Sequence, residues 1–286
     1  MNPEIPIESF EIFARGLDHP EGLAFDREGL LWAGGEAGQI YRIDRAGMVE
    51  TVANLGSFCA GLAFSPNGEL FVCSSGLGIV LVDNTGRWKV FAHAVGGERI
   101  VCPNFPVFDR EGRLYVSDSG EWQKRNGRLL RFDPAGKGEV IAGPMGYANG
   151  LALGPDERTL FVVESDTDSV HRFEIPGAGP LGRRELYAEA VGRFPDGLAF
   201  DVKGNLYVCC YASDEIYRIT PSREKHLVAF DRHGILLGSP TNIAFGAETG
   251  EEIYVANFGR TTITRAHRTE RPAACESTKL NMPSYR

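Results

Sequence analysis

His19-Pro-Glu-Gly-Leu-Ala-Phe-Asp-Arg-Glu-Gly-Leu-Leu-Trp-Ala-Gly-Gly35 decides how the chain is read, because five later segments echo its first half. Aligned on the apolar run, the copies are Glu21-Gly-Leu-Ala-Phe25, Ala60-Gly-Leu-Ala-Phe64, Asn104-Phe-Pro-Val-Phe108, Asn149-Gly-Leu-Ala-Leu153, Asp196-Gly-Leu-Ala-Phe200 and Thr241-Asn-Ile-Ala-Phe245. Their first residues are spaced by 39, 44, 45, 47 and 45 positions. A repeat of that length built from several short strands is the signature of a β-propeller.

Inside the first copy, Leu23-Ala-Phe25, Leu30-Leu-Trp-Ala33, Gln39-Ile-Tyr-Arg-Ile43 and Met48-Val-Glu-Thr-Val52 are short runs rich in β-branched, aromatic and other apolar residues. Asp26-Arg-Glu-Gly29 and Asp44-Arg-Ala-Gly47 separate them as turns, and no run is long enough for a three-turn helix. Asp109, Asp133 and Asp201 recur in the same role after strands. The pattern predicts an all-β fold, a six-bladed β-propeller with four antiparallel strands per blade. The sixth copy is one strand short. Ser9-Phe-Glu-Ile-Phe-Ala14 has the phase of a fourth strand, so the N-terminal strand is expected to close the last blade and cover its bare edge. One domain over 1–286 follows, with Thr269 to Arg286 as an irregular tail containing Pro272 and Pro283.

With 286 residues, 43% hydrophobic and 24% charged, the chain has ample material for a core. A net charge of -8 offers no basic surface to displace counterions, which argues against a nucleic-acid partner. No stretch approaches the ~20 apolar residues of a membrane span. The first ten residues lack a basic segment followed by an apolar one, so a soluble, cytoplasmic protein is expected, a monomer or weak homo-oligomer with a small-molecule partner. Cys59, Cys73, Cys102, Cys209, Cys210 and Cys275 form no C-x-x-C pair and sit mostly in apolar runs, reading as free buried thiols.

In a propeller the innermost strands line a central channel, so equivalent positions at one end of them meet around the axis. That ring reads Glu21, Ala60, Asn104, Asn149, Asp196, Thr241. Taken singly, Pro-Glu-Gly, Asn-Gly and Pro-Asp-Gly are turn signals. Four oxygen donors at one register, ahead of buried strands, are not what turns produce, and they suit a hard divalent cation. Ca²⁺ is the leading candidate, with Mg²⁺, Mn²⁺, Fe²⁺ or Zn²⁺ as alternatives; the absence of His and Cys from the ring counts against zinc.

The six-copy period, the Glu-x-x-x-Phe start, Asn104, Asn149-Gly150 and Pro195-Asp196-Gly197 together resemble the gluconolactonase and regucalcin (senescence marker protein) family of six-bladed propellers. The resemblance covers the chain up to about Arg268. It implies Glu21, Asn149 and Asp196 as metal ligands, Asn104 as a ligand or a substrate and water contact, and Asp196 as the catalytic carboxylate. Sugar-lactone members carry an Arg two residues before the Asn matched by Asn104; this chain has Cys102 there, with Arg99 out of register.

The chemistry expected is hydrolysis of lactones, the cation polarising the carbonyl while Asp196 accepts a proton from attacking water. Direct attack by Asp196 is the rival route. An organophosphate or other ester hydrolase on the same cation, and a non-catalytic scaffold, are the alternatives. No Gly-x-Ser-x-Gly elbow is present. Around the mouth, the polar segment Ser119 to Gly127 reads as a lid or a solvated loop, with Trp122 and Arg125 as its substrate-reaching residues. Asp118 reads as a ligand-orienting residue or a turn cap, Tyr147 and Phe105 as an apolar wall or plain packing, and His19 as a second base near the mouth.

Overall fold

A computed structural model of the chain describes residues 2–177, 179–246 and 250–268; the expected tail over 269–286, with Cys275, lies outside the described residues. The six repeats fold into six four-stranded sheets, each antiparallel, arranged as a six-bladed propeller. A two-stranded ribbon, Ala94–Val95 with Glu98–Arg99, joins the second blade to the third and was not legible as a repeat. The turn aspartates explain why the strands stop where they do. Asp26 Oδ1 accepts the N–H groups of Glu28 and Leu30 at 3.0 and 2.8 Å, and Asp44, Asp133 and Asp201 each hold the residues two and four further on in the same way. Each carboxylate thus replaces the hydrogen bonds that a continuing strand would have made.

The ring closes as the sequence predicts. Glu11–Arg15 pairs antiparallel with Thr262–His267, Glu11 opposite Arg265 and Arg15 opposite Thr262, completing the blade begun by Pro240–Phe245. The core is six apolar wedges, each shared by two consecutive blades. These wedges explain the Phe that ends the repeat. Phe64, Phe108, Phe200, Phe245 and Phe25 meet an aromatic ring of the preceding blade edge-on (Trp32, Phe71, Phe161, Tyr207 and Tyr254), with centroids 5.0–5.7 Å apart. In the fourth copy Leu153 replaces the Phe, and Tyr115 of the preceding blade turns its hydroxyl to Asp109 Oδ2 at 3.2 Å instead. Among the described residues no helix is long and apolar enough to cross a membrane. Cys59, Cys73, Cys102, Cys209 and Cys210 are free thiols.

Candidate functional site

The ring positions occupy a local irregularity that repeats around the axis. The innermost strands Cys59–Phe64, Pro103–Phe108, Ala148–Leu153, Pro195–Phe200 and Pro240–Phe245 each break register with their neighbour just after their first residue. Ala60, Asn104, Asn149, Asp196 and Thr241 stand in those breaks. A bulge of this kind frees a side chain from strict alternation and re-aims it, here into the channel. In the first blade the strand Leu23–Phe25 starts later, and Glu21 is tied instead by its N–H to Gly34 O at 3.1 Å. The glycine that follows in four copies is required by close approach. A Cβ on Gly22 would sit 2.6 Å from Ala60 O, one on Gly61 2.6 Å from Asn104 O, and Gly150 and Gly197 would strike Asp196 O and Thr241 O. Backbone therefore packs on backbone from one inner strand to the next, and Thr241 Oγ1 closes the circle by donating to Glu21 O at 3.0 Å.

The result is a cavity of about 330 Å³ at one end of the channel, lined by all six ring residues. Glu21, Asn104, Asn149 and Thr241 are buried. Asp196 keeps some exposure to the cavity, yet protein atoms crowd it densely enough for desolvation to dominate its titration. Burial pushes the Glu21 carboxyl up to about 7, against the pull of the Thr241 hydroxyl. Burial, then the Glu21 charge, holds Asp196 well above the usual carboxylate range, with the Asn149 side chain acting the other way. Two carboxyls thus share one poorly solvated space.

Asn149 completes the arrangement. Ser165 Oγ donates to Pro195 O at 2.7 Å, so it accepts from Asn149, whose Nδ2 lies 3.2 Å away. That assignment fixes which end of the amide is nitrogen and leaves Asn149 Oδ1 buried with no donor facing it. Two raised carboxyls and an orphaned carbonyl oxygen in one cavity form a hard, anionic donor set that fits a divalent cation. Asn104 lines the same cavity and offers a further oxygen. A second grouping, Asp18, His19 and Glu36, stands outside the cavity. There His19 Nδ1 lies 3.0 Å from a carboxylate oxygen of each acid, and Asp18 also accepts the Ala37 N–H, so the cluster is satisfied internally.

Above this floor the mouth is aromatic. Trp122 and Tyr147 line it as expected, their rings edge-on at 4.9 Å. Phe58, Phe194, Tyr211 and Phe258 line it too, and the sequence reading missed them. The signal was positional. Phe58, Tyr147 and Phe194 stand two residues before their ring residues, with His19, Cys102 and Ser239 at the same place in the other copies. Four of these six, His19, Tyr147, Phe194 and Ser239, have left-handed backbone with φ of 43–56°, a conformation that is uncommon for residues with side chains and recurs at functional sites. Tyr211 and Phe258 follow second strands and hydrogen-bond through their N–H groups to Phe194 O and Ser239 O, both at 3.0 Å. The other expected residues fall elsewhere. His19 stacks 5.8 Å from Phe258 but does not line the cavity, Arg125 is exposed and near Arg184, and Phe105 packs into the wedge between the third and fourth blades. Asp118 caps the N–H groups of Val101 and Cys102 and pairs with Arg128 at 3.0 Å, so it positions the segment that carries Cys102 into the cavity.

Residues 19–258 match the model of the SMP-30/Gluconolactonase/LRE-like region. A 6-deoxy-6-sulfogluconolactonase of Pseudomonas putida is 29% identical over 238 residues, which are 80% of this chain and 78% of that protein. The matched stretches of three further relatives span 56–67% of their lengths. Among solved structures, a gluconolactonase of Xanthomonas campestris superposes with a TM-score of 0.79 at 18% identity, covering 90% of this chain and 89% of that one. A calcium-binding protein, regucalcin, of Agrobacterium tumefaciens superposes with a TM-score of 0.76 at 18% identity, covering 93% and 95%. At such identities the structural likeness speaks for the propeller alone. The family match spans most of the chain and all six ring positions, and this protein belongs to the SMP-30/gluconolactonase/LRE-like family.

Proposed function

We propose that the chain is a divalent-metal-dependent hydrolase of lactones, acting as one propeller domain on a small molecule in the cytoplasm. One observation carries the reading: Glu21 and Asp196, both held above the usual carboxylate range by burial, share a cavity with the unsatisfied Asn149 Oδ1. Family membership and the lactonases among the sequence relatives support the substrate class. Glu21, Asn149 and Asp196 would hold the cation, with Asn104 as the further donor; Ca²⁺ suits this all-oxygen set. Bound there, the ion supplies Lewis-acid polarisation of the ester carbonyl.

The residues supply the rest. Asp196 accepts a proton from the water whose oxygen attacks the carbonyl carbon; the ring C–O bond then breaks, and the departing alkoxide takes the proton back to give the hydroxy acid. Thr241 and Ser165 tie the floor to the backbone, and the aromatic mouth displaces bulk water from the ester. The test is a panel of five- and six-membered lactones offered to cation-loaded wild type and to Asp196→Asn. Wild type should turn over at least one of them, and the variant should lose about 10²-fold or more in kcat. A folded, cation-loaded wild type that leaves the whole panel intact would sink the reading.

A further inference from the structure

We infer that the cavity selects lactones with an apolar body, an alkyl or aryl group beside the ester ring, over polyhydroxylated sugar lactones. This deepens the lactonase reading and rests on it. The mouth is walled by two aromatic groupings. Trp122 stands 4.9 Å from Tyr147 and 5.3 Å from Phe194. In the second, which adjoins the first where Tyr211 N–H meets Phe194 O, Phe258 lies 5.9 Å from Phe58 and 6.1 Å from Tyr211. Among the described residues, no Lys, Arg or His lines the cavity.

Glu21, Asn104, Asn149 Oδ1 and Asp196 are the groups the cation would take; the other hydrogen-bonding groups on the floor are committed before any ligand enters. Thr241 Oγ1 donates to Glu21 O, Ser165 Oγ to Pro195 O, and Asn149 Nδ2 to Ser165 Oγ. A ligand with a hydroxyl on every ring carbon would surrender its hydrogen bonds to water and find few in return, whereas a phenyl or alkyl group gains from leaving water for these rings. Ring substituents, and not the ester, therefore decide which lactone stays.

The experiment measures calorimetric binding of two non-hydrolysable lactams to the cation-loaded protein, one phenyl-substituted and one polyhydroxylated, alongside hydrolysis of the matching lactones. The phenyl lactam should bind at least tenfold more tightly. Trp122→Ala and Phe258→Ala should each weaken it severalfold or more while leaving the polyhydroxylated lactam unchanged. Trp122 is 45% exposed, so its removal spares the core, and a melting curve checks both variants. Equal or tighter binding of the polyhydroxylated lactam, or no binding of either, overturns the inference. Faster hydrolysis of the sugar lactone overturns it too, but leaves the lactonase reading intact. Binding of the phenyl lactam with no lactone hydrolysed keeps the ligand class and removes the hydrolytic reading.

Discussion

Asn149 shows how one side chain can be left with a free acceptor oxygen. Its nitrogen is taken by Ser165, its oxygen faces the cavity without a partner, and Gly150 behind it lets the next inner strand come close enough to hold both in place. A methyl group on Gly150 would meet Asp196 O and lie 2.8 Å from Gly197 Cα, both backbone atoms that cannot swing aside. Gly150→Ala should therefore destabilise the fold by about 1–3 kcal/mol in urea denaturation. Gly177→Ala, where no atom of the described residues lies within 4 Å, should change stability by well under 1 kcal/mol. The same residue-level logic separates what the sequence reveals from what it hides. Glu21, Asn104, Asn149 and Asp196 were legible because one chemical type, an oxygen donor, recurs at one register. Of the aromatic positions two residues earlier, Tyr147 was read but Phe58 and Phe194 were not, because His19, Phe58, Cys102, Tyr147, Phe194 and Ser239 share a backbone location and no chemistry. Proximity in sequence also misled. His19 sits beside Glu21 yet is held by Asp18 and Glu36, and Arg125 shares a loop with Trp122 but lies out with Arg184.

Five of the six inner strands do two jobs with six residues each. Their far ends supply apolar side chains to the wedges between blades, and their near ends break register, aiming a polar group inward in every one but that of Ala60. The alternation of period two is visible in sequence; the break is not, since an inserted residue leaves the composition unchanged. Closure by Glu11–Arg15 was legible because a strand was missing at one end of the array and spare at the other. Removing residues 2–16 would leave Thr262–His267 as an open edge and take Ala14 out of the wedge it shares with Ile263 and Tyr254. We expect the shortened chain to self-associate, read by light scattering, and to melt at least several degrees lower. The loop carrying Trp122 is tied to itself by Glu121 N–H to Asn126 Oδ1 at 2.8 Å and by Lys124 to Glu121 at 2.6 Å. Charge-neutral replacement of Lys124 should change stability little, because that pair is exposed.

For the molecule as a whole, the buried carboxyls make stability depend on pH in an unusual sense. A group whose folded pKa lies above its unfolded one binds more protons in the native state between those two values, so stability falls as pH rises across that window. For Glu21 the window runs from 4.5 to about 7, and Asp196 shifts in the same direction. Cation-free protein should therefore lose melting temperature between about pH 4.5 and 7, measured by scanning calorimetry. Excess Ca²⁺ should restore it, more strongly at higher pH, with a gain of about 2.7 kcal/mol at a hundredfold excess over Kd. Glu21→Gln should flatten both trends.

The closing blade carries a further consequence for how the protein is made. Among the described strands, Glu11–Arg15 leaves the ribosome first and its partner Thr262–His267 last. The opening strand must therefore wait, unpaired, through the synthesis of all the strands between the two, and until Pro240–Phe245 has emerged Glu21 has no Thr241 beside it. The ring of six residues around the cavity is thus completed only by the sixth blade, and a chain stalled before it would display five blades with that ring open.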